Sequence, residues 1–180
     1  MSEVVLQPAT QIKRTAPDTI RVERTLAAPA ATVWRYITEA ELRKEWFMGG
    51  TDACADGEFE LLNDHDNLSS DNDPYPENYA EYKGTKWHEK VLRFEPPGLL
   101  VTTFQGGKNG TVTYELTAQG DHTLLVLTHS GIQSGTGPQD FGSGWTSHLI
   151  VLQEKLAGRT VPDFWALHAR SRAAVAKALG

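Results

Sequence analysis

The stretch GWTSHLIVLQEKL, residues 144–156, decides the fold of this chain. At about 100° per residue, four large apolar side chains fall on one stripe of a helix: Trp145, Leu149, Leu152 and Leu156. His148 lies on the flank of the stripe, and Glu154 falls on the far side, where it is expected to face water. Because this helix follows a run of β-patterned segments, its stripe must pack against the sheet that they form.

The segments before that helix alternate apolar and polar residues, a pattern typical of half-buried strands. Six strands are predicted, at residues 18–27, 59–61, 84–94, 99–105, 111–116 and 123–130. The last four are joined by short turns, including the hairpin signal Asn109-Gly110. Short turns between neighbouring strands favour an antiparallel meander.

Two short helices are expected directly after the first strand. Residues 28–38 form the first, with Pro29 at or near its first turn, where a missing N–H costs nothing. Thr38 and Glu41 have the spacing of a capping box, which predicts a second helix over residues 39–47. A glycine-rich loop is expected at 131–143, and a final helical segment at 162–179.

The composition favours one folded domain with modest tails. The chain has 180 residues, of which 39% are hydrophobic and 22% charged, as in ordinary globular proteins. We expect a loose arm over residues 1–17, a domain over 18–158 and a tail helix over 159–180. The single cysteine, Cys54, excludes an internal disulfide framework.

The net charge of −6 is concentrated in one segment. Residues 63–82 hold six acidic side chains and no lysine or arginine, in a sequence rich in turn-forming residues. An acidic chain without a basic face is a poor candidate for nucleic-acid binding. No apolar run is long enough to span a membrane, and no secretory signal is recognisable at the N-terminus, so a cytoplasmic protein is expected.

Several segments together resemble a known superfamily. The strand IRVERTLAAP leading into ATVWRYIT, the hairpin VLRFEPPGLLVTTF, the strand HTLLVLTHSGI and the GW-x3-L-x2-L helix are similar to the START-like, birch-pollen-allergen-like (SRPBCC) proteins. Within them the chain resembles the branch named after the activator of the ninety-kilodalton heat-shock-protein ATPase, over residues 18–158.

The resemblance implies an α+β helix-grip fold. A curved antiparallel sheet would wrap around the long C-terminal helix, and the two short helices after the first strand would close one end. Members of the superfamily often keep a cavity between sheet and helix for sterols, lipids or polyketides. Residues 63–82 form a longer insertion than this pattern expects, suited to a lid, a partner surface or a disordered loop. Residues after 158 lie outside the pattern.

The candidate ligand-binding residues are those that residue parity, helical phase and the resemblance place at this cavity. They are Arg24, Trp46, Phe47, Tyr114, Leu127, His129, Trp145, His148, Leu149 and Leu152. His129 is the polar group best placed to orient a ligand or to act as an acid or base, although a histidine that hydrogen-bonds inside the core or supports the following loop fits the same pattern. Arg24 would either hold an anionic head group or pair with Glu89 or Glu115. The aromatic residues are numerous enough to line the cavity or to fill it.

Three functions fit this sequence. The first is binding of a small hydrophobic or aromatic ligand in the cavity, with no catalytic residue assigned. The second is a chaperone-regulating interaction module, as the branch name implies. The third is an enzyme of the cyclase or hydratase type that uses a cavity histidine. The histidines are scattered and the acidic pairs lack the spacing of a calcium loop, so neither a metal nor a cofactor is expected.

Overall fold

The computed structural model describes residues 11–70, 74–133 and 135–180, and its elements follow the expected order. The strands are β1 (Ile12–Ala16), β2 (Thr19–Leu26), β3 (Gly49–Gly50), β4 (Glu58–Leu62), β5 (Lys86–Glu95), β6 (Leu99–Thr103), β7 (Thr111–Gln119) and β8 (His122–Ser130). The helices are α1 (Ala30–Thr38), α2 (Ala40–Arg43), α3 (Glu77–Ala80), α4 (Gly137–Leu156) and α5 (Phe164–Leu179).

All eight strands form one antiparallel sheet in the order β1-β2-β8-β7-β6-β5-β4-β3. The register places Ile20, His129 and Val112 side by side across β2, β8 and β7. All three are fully buried, as the alternation of apolar and polar residues predicts. The curved sheet and the long C-terminal helix confirm the predicted helix-grip fold.

Helix α4 packs against the sheet on one side and against α5 on another. Trp145, Leu149 and Leu152 belong to the core between α4 and the sheet, and α5 contacts α4. Glu154 was expected to face water, but it is only 3% exposed. Its carboxylate accepts two hydrogen bonds from Arg159, at 2.6 and 3.1 Å. A buried carboxylate is stable in this position because the guanidinium satisfies both of its oxygens.

Helix α5 attaches to the domain through one apolar stripe. Phe164, Leu167 and Val175 are buried at helical spacing, and Asp163 caps the first turn by accepting a hydrogen bond from the Ala166 amide. The helix contacts both α4 and β1. The predicted tail helix is therefore packed against the domain.

Three local expectations are wrong. The loose arm was expected to reach residue 17, but Ile12–Ala16 pairs with β2 as an edge strand; residues 1–10 lie outside the described part of the chain. The Thr38 hydroxyl bonds the Trp34 carbonyl within α1 instead of capping α2. Helix α4 begins at Gly137, inside the expected loop, because Pro138 is compatible with a first helical turn.

Candidate functional site

The space between the sheet and α4 is filled. The void there, lined by Phe47, Tyr114 and Trp145 among others, has a volume of about 20 Å³. That is room for about one water molecule and is far below the roughly 300–1,000 Å³ of small-molecule sites. The sequence allowed the aromatic residues either to line a cavity or to fill it. In the structure they fill it.

His129 has both ring nitrogens engaged inside this core. Its Nε2 lies 2.7 Å from the Asn109 carbonyl oxygen, and its Nδ1 accepts a hydrogen bond of 3.1 Å from the Trp145 indole. Because a carbonyl oxygen only accepts, Nε2 carries the proton and the ring is neutral. Burial lowers the pKa of His129 further from the physiological range. This geometry gives His129 a structural position in the core.

Arg24 forms neither of the expected ion pairs. The Glu89 carboxylate accepts hydrogen bonds from the Gln105 and Gly106 amides, and Glu115 is exposed. The Arg24 guanidinium reaches the Gln11 side chain and the Glu23 carbonyl through Nη1, while its Nε and Nη2 have no hydrogen-bond partner within residues 11–70, 74–133 and 135–180.

Most of the other predicted residues are packed in the core. Leu127, Leu149 and Leu152 are fully buried. Trp46, expected near a cavity mouth, is also fully buried and donates its indole N–H to the Tyr36 carbonyl at 2.7 Å. Phe47 packs against Trp145 with a ring-centre distance of 5.1 Å. Among the cavities formed by described residues, the one large enough for a ligand is lined by one of the ten predicted site residues, His148.

That space is a cleft of about 450 Å³ on the outer side of α4. Segment 63–82 lines one side with Asn63, His65, Tyr75 and Tyr79. Helix α4 contributes Phe141, Gly144 and His148, and helix α5 contributes Phe164, Trp165 and His168. Asp140, Tyr82 and Arg172 complete the rim with exposed side chains. The insertion and the tail helix, which lie outside the expected pattern, thus form most of the cleft.

Aromatic rings stack around Trp165 at the centre of this lining. Its indole lies 5.2 Å from the Tyr79 ring at an interplanar angle of 16°, and 5.0 Å from the His65 ring at 25°. Phe164 meets Trp165 edge-on, at 5.2 Å and 78°. Such offset-stacked and edge-to-face contacts stabilise the aromatic pairs. They hold His65 and Tyr79 against α5.

A chain of hydrogen bonds fixes His168 in the same lining. Arg172 Nη1 donates to the Tyr79 hydroxyl at 2.6 Å, and that hydroxyl lies 3.3 Å from His168 Nε2. On the other side of the ring, His168 Nδ1 lies 3.0 Å from the Ser147 hydroxyl. Ser147 donates its own proton to the Ser143 carbonyl, at 2.8 Å. The Ser147 oxygen therefore accepts from Nδ1, and Nε2 accepts from Tyr79.

The three histidines of the cleft are neutral at physiological pH. Burial, with a smaller contribution from His168, lowers the pKa of His65 to about 4. Burial and the nearby Arg172 lower the pKa of His168 to about 4. Burial and the adjacent His65 hold the pKa of His148 well below its usual value. The cleft thus offers imidazole donors and acceptors without net charge.

Two polar side chains lining the cleft are nine-tenths or more buried. Asn63 is 5% exposed, and its buried Oδ1 has no hydrogen-bond partner among the described residues. His148 is 6% exposed; its Nδ1 donates to the Trp46 carbonyl at 2.8 Å, while its Nε2 makes no hydrogen bond to a described residue. Because an unpaired buried polar atom costs about 1–3 kcal/mol, Asn63 Oδ1 marks a point where a ligand would improve the hydrogen bonding.

The sequence reasoning missed most of the cleft. Tyr75, Tyr79 and Tyr82 lie within an acidic segment that was treated as a lid, a partner surface or a disordered loop. Phe164, Trp165 and His168 lie in the tail. The available signal was the aromatic content of these two segments, which is unusual for solvated loops. The aromatic residues of the two segments come together over α4 because α5 packs there. No periodicity in either segment specifies that packing.

Metal binding and membrane insertion find no support in the described residues. Within residues 11–70, 74–133 and 135–180, no group of three or more histidine, cysteine, aspartate or glutamate side chains is arranged to hold a metal ion. None of the described helices is long and apolar enough to cross a membrane.

Residues 27–157 match the family model described as activator of Hsp90 ATPase homolog 1-like protein, which covers most of the chain. The chain belongs to this family. The match confirms the resemblance seen in the sequence, and it ends before α5, so one side of the cleft lies beyond the matched residues. A search of curated protein sequences finds no significant match.

Solved structures of similar proteins support the assignment to the Hsp90 ATPase activator-like family. The solution structure of a Bordetella parapertussis protein, encoded by gene BPP1335, is 32% identical and covers 99% of this chain and 95% of its own, with a TM-score of 0.76. CalU16 from Micromonospora echinospora is 23% identical, covering 93% of this chain and 94% of its own, with a TM-score of 0.62. DynU16, from the dynemicin biosynthetic locus, is 18% identical and covers 83% of this chain and 51% of its own, with a TM-score of 0.60. The last two likenesses show the fold alone.

Proposed function

We propose that this protein binds a small aromatic molecule in the cleft between segment 63–82, α4 and α5. The observation that carries the proposal is the contrast in volume between the two candidate sites. The cleft measures about 450 Å³, whereas the sheet–helix interior measures about 20 Å³. Binding of a small ligand, the function expected from the resemblance, is thus retained, but at a different place in the fold.

The lining of the cleft suits an aromatic ligand better than an aliphatic chain. Trp165, Tyr79, Tyr75 and Phe164 present ring faces and edges, which attract a further ring through offset stacking and edge contacts. A few polar groups among apolar walls are typical of sites that orient a ligand. Here the neutral imidazoles and the amide of Asn63 lie inside the cleft, and the charged side chains of Asp140 and Arg172 lie at its rim.

The two alternative functions have less support in the structure. An enzyme using a cavity histidine would need a wet pocket around His129, but that ring is buried with both nitrogens bonded. For a chaperone-binding module, a large contiguous apolar patch on the surface would be supporting evidence. In the described part of the chain, the exposed large apolar side chains are Tyr82 and Leu92, which belong to different elements.

The proposal is tested first by a thermal-shift screen of one-, two- and three-ring aromatic compounds against the full chain. A ligand at a hundred times its Kd stabilises the folded state by about 2.7 kcal/mol. For a chain of this size that corresponds to a Tm increase of about 5–11 °C. A screen in which no aromatic class raises Tm would overturn the proposal.

Gly144 provides the variants that locate the site. A Cβ atom added at Gly144 meets no atom within 4 Å, so this position opens directly into the cleft. We expect Gly144→Leu to fill the cleft and weaken binding of a screening hit at least about tenfold, because the new side chain occupies the volume of the ligand. Gly144→Ala is the matched control and should keep the affinity within about threefold. Unchanged binding to a folded Gly144→Leu variant would contradict the location.

A further inference from the structure

The three histidines of the cleft differ in how many of their ring nitrogens are hydrogen-bonded. His168 has both nitrogens engaged, with Nδ1 donating to Ser147 and Nε2 accepting from Tyr79. His65 and His148 each have one engaged nitrogen, and their ring centres lie 5.2 Å apart. The two unengaged nitrogens are therefore the polar groups available to a ligand beside these rings.

The free nitrogen of His65 is a donor. The Tyr75 hydroxyl accepts a hydrogen bond of 2.6 Å from the His65 amide and lies 2.8 Å from His65 Nδ1. Burial raises the pKa of Tyr75 to about 12, so the hydroxyl keeps its proton. Among described residues Nδ1 is the acceptor that this proton reaches, so Tyr75 donates to Nδ1. In a neutral imidazole the remaining proton then lies on Nε2.

The free nitrogen of His148 is an acceptor. Its Nδ1 lies 2.8 Å from the Trp46 carbonyl oxygen, which can only accept, so Nδ1 carries the proton of the neutral ring. Nε2 therefore keeps its lone pair. His65 and His148 both line the cleft with their ring centres 5.2 Å apart, so a ring with a free donor and a ring with a free acceptor border the same space.

We infer that the cleft selects aromatic ligands that carry a hydroxyl group, which accepts a hydrogen bond from His65 Nε2 and donates one to His148 Nε2. A hydroxyl group fits because one oxygen atom both donates and accepts. Two hydrogen bonds of about 2.8 Å through one oxygen atom span up to about 5.6 Å. The distance of 5.2 Å between the two ring centres is of the same order. The inference rests on the proposed function and adds the specificity-determining residues His65 and His148.

Asn63 extends the same preference. Its buried Oδ1 has no partner in the described part of the chain and can accept a hydrogen bond from a second hydroxyl group or an N–H group of the ligand. A carboxylate is disfavoured at this point, since it would face the lone pairs of His148 Nε2 and Asn63 Oδ1 with no proton to give.

The experiment compares 2-naphthol, 2-methoxynaphthalene and naphthalene as probes, with affinities measured at pH 7.5 from the quenching of tryptophan fluorescence. The three share a ring system and differ in hydrogen bonding, since the hydroxyl donates and accepts, the ether only accepts and the hydrocarbon does neither. We expect 2-naphthol to bind about tenfold or more tightly than the other two, the effect of one or two buried hydrogen bonds.

Variants then assign the preference to the two histidines. His65→Phe and His148→Phe keep an aromatic ring and should each reduce the preference for 2-naphthol to about threefold or less. His168→Phe is the comparison: absolute affinities change together, but the ratio stays as in the wild type, because His168 has no free nitrogen. Naphthalene binding by each variant shows that its cleft is intact. If either His65→Phe or His148→Phe does not fold, the preference for 2-naphthol measured with the other variant tests the inference.

The outcomes separate the inference from the proposed function. Equal affinity of the wild type for all three probes would overturn the inference and leave aromatic binding in place. If the preference for 2-naphthol persists in the folded His65 and His148 variants, the inference is likewise overturned and aromatic binding is left in place. Absence of binding by any of the three probes would count against the proposed function itself.

Discussion

Two glycines of α4 should respond in opposite ways to replacement by alanine. Gly144 borders the cleft, where an added Cβ meets no atom within 4 Å. Gly142, two residues earlier, lies against β1 and α5, and an added Cβ would be 2.8 Å from Ile12 Cδ1 and 3.4 Å from Val175 Cγ1. The pair tests whether the cleft is open space in the folded protein.

The expected magnitudes follow from helix propensity and packing. Alanine in a helix interior is more favourable than glycine by about 1 kcal/mol. At Gly144 nothing opposes this gain, so Gly144→Ala should raise Tm by about 2–4 °C for a chain of this size. At Gly142 overpacking costs about 1–3 kcal/mol. The free energy of unfolding of Gly142→Ala should therefore change by between roughly zero and a loss of about 2 kcal/mol. Gly144→Ala should therefore be more stable than Gly142→Ala by about 1–3 kcal/mol.

Urea unfolding followed by circular dichroism measures this difference, because both variants unfold the same domain and comparable m-values validate the comparison. The reasoning fails if Gly144→Ala is destabilised as much as Gly142→Ala. That result would mean that segment 63–82 closes onto α4 and leaves no open cleft beside Gly144.

Three further predictions follow from the core, the ion pair and the histidines. Leu152→Ala should lose about 2–5 kcal/mol of unfolding free energy in urea, because the side chain is fully buried beside a filled interior; a loss below about 1 kcal/mol would indicate a cavity there. Arg159→Gln should lower the urea midpoint more than Lys155→Gln, since only Arg159 pairs with the buried Glu154 carboxylate, and equal midpoints would contradict that pairing. The free energy of unfolding should fall as pH drops from 7 to 5, because histidines of the unfolded chain bind protons near pH 6.5 while His65 and His168, with folded pKa values of about 4, do not. In urea titrations, His168→Phe should make the unfolding free energy depend less steeply on pH. An unchanged dependence would argue against a buried neutral ring at His168.

Much of the fold could be predicted from the sequence because its signals are local. The stripe of Trp145, Leu149 and Leu152 specifies a helix that packs on a sheet, and alternation along β7 and β8 places Tyr114 and His129 on the buried face. These periodicities report which side of an element is apolar. They do not report how completely the facing side chains fill the space between elements, which decides between a ligand cavity and a packed core.

The candidate site could not be predicted because it depends on two segments that meet only in the folded structure. Glu154 illustrates the reason: its position on the polar side of α4 predicts exposure, whereas in the folded structure it is buried and bonded to Arg159. Helical phase alone likewise places His148 on the flank of the stripe in α4. Once α5 covers α4, that flank becomes part of the cleft between α5 and segment 63–82.

The most direct test of the account is a titration of the ¹⁵N-labelled chain with 2-naphthol, followed through the indole N–H signals of the five tryptophans. Trp165 lines the cleft, whereas the indole of Trp145 is bonded to His129 in the core between sheet and helix. Single Trp→Phe variants assign the two signals. The account predicts that the Trp165 signal shifts with the ligand while the Trp145 signal stays in place. A shift of Trp145 with an unchanged Trp165 would place the ligand between sheet and helix and contradict the account.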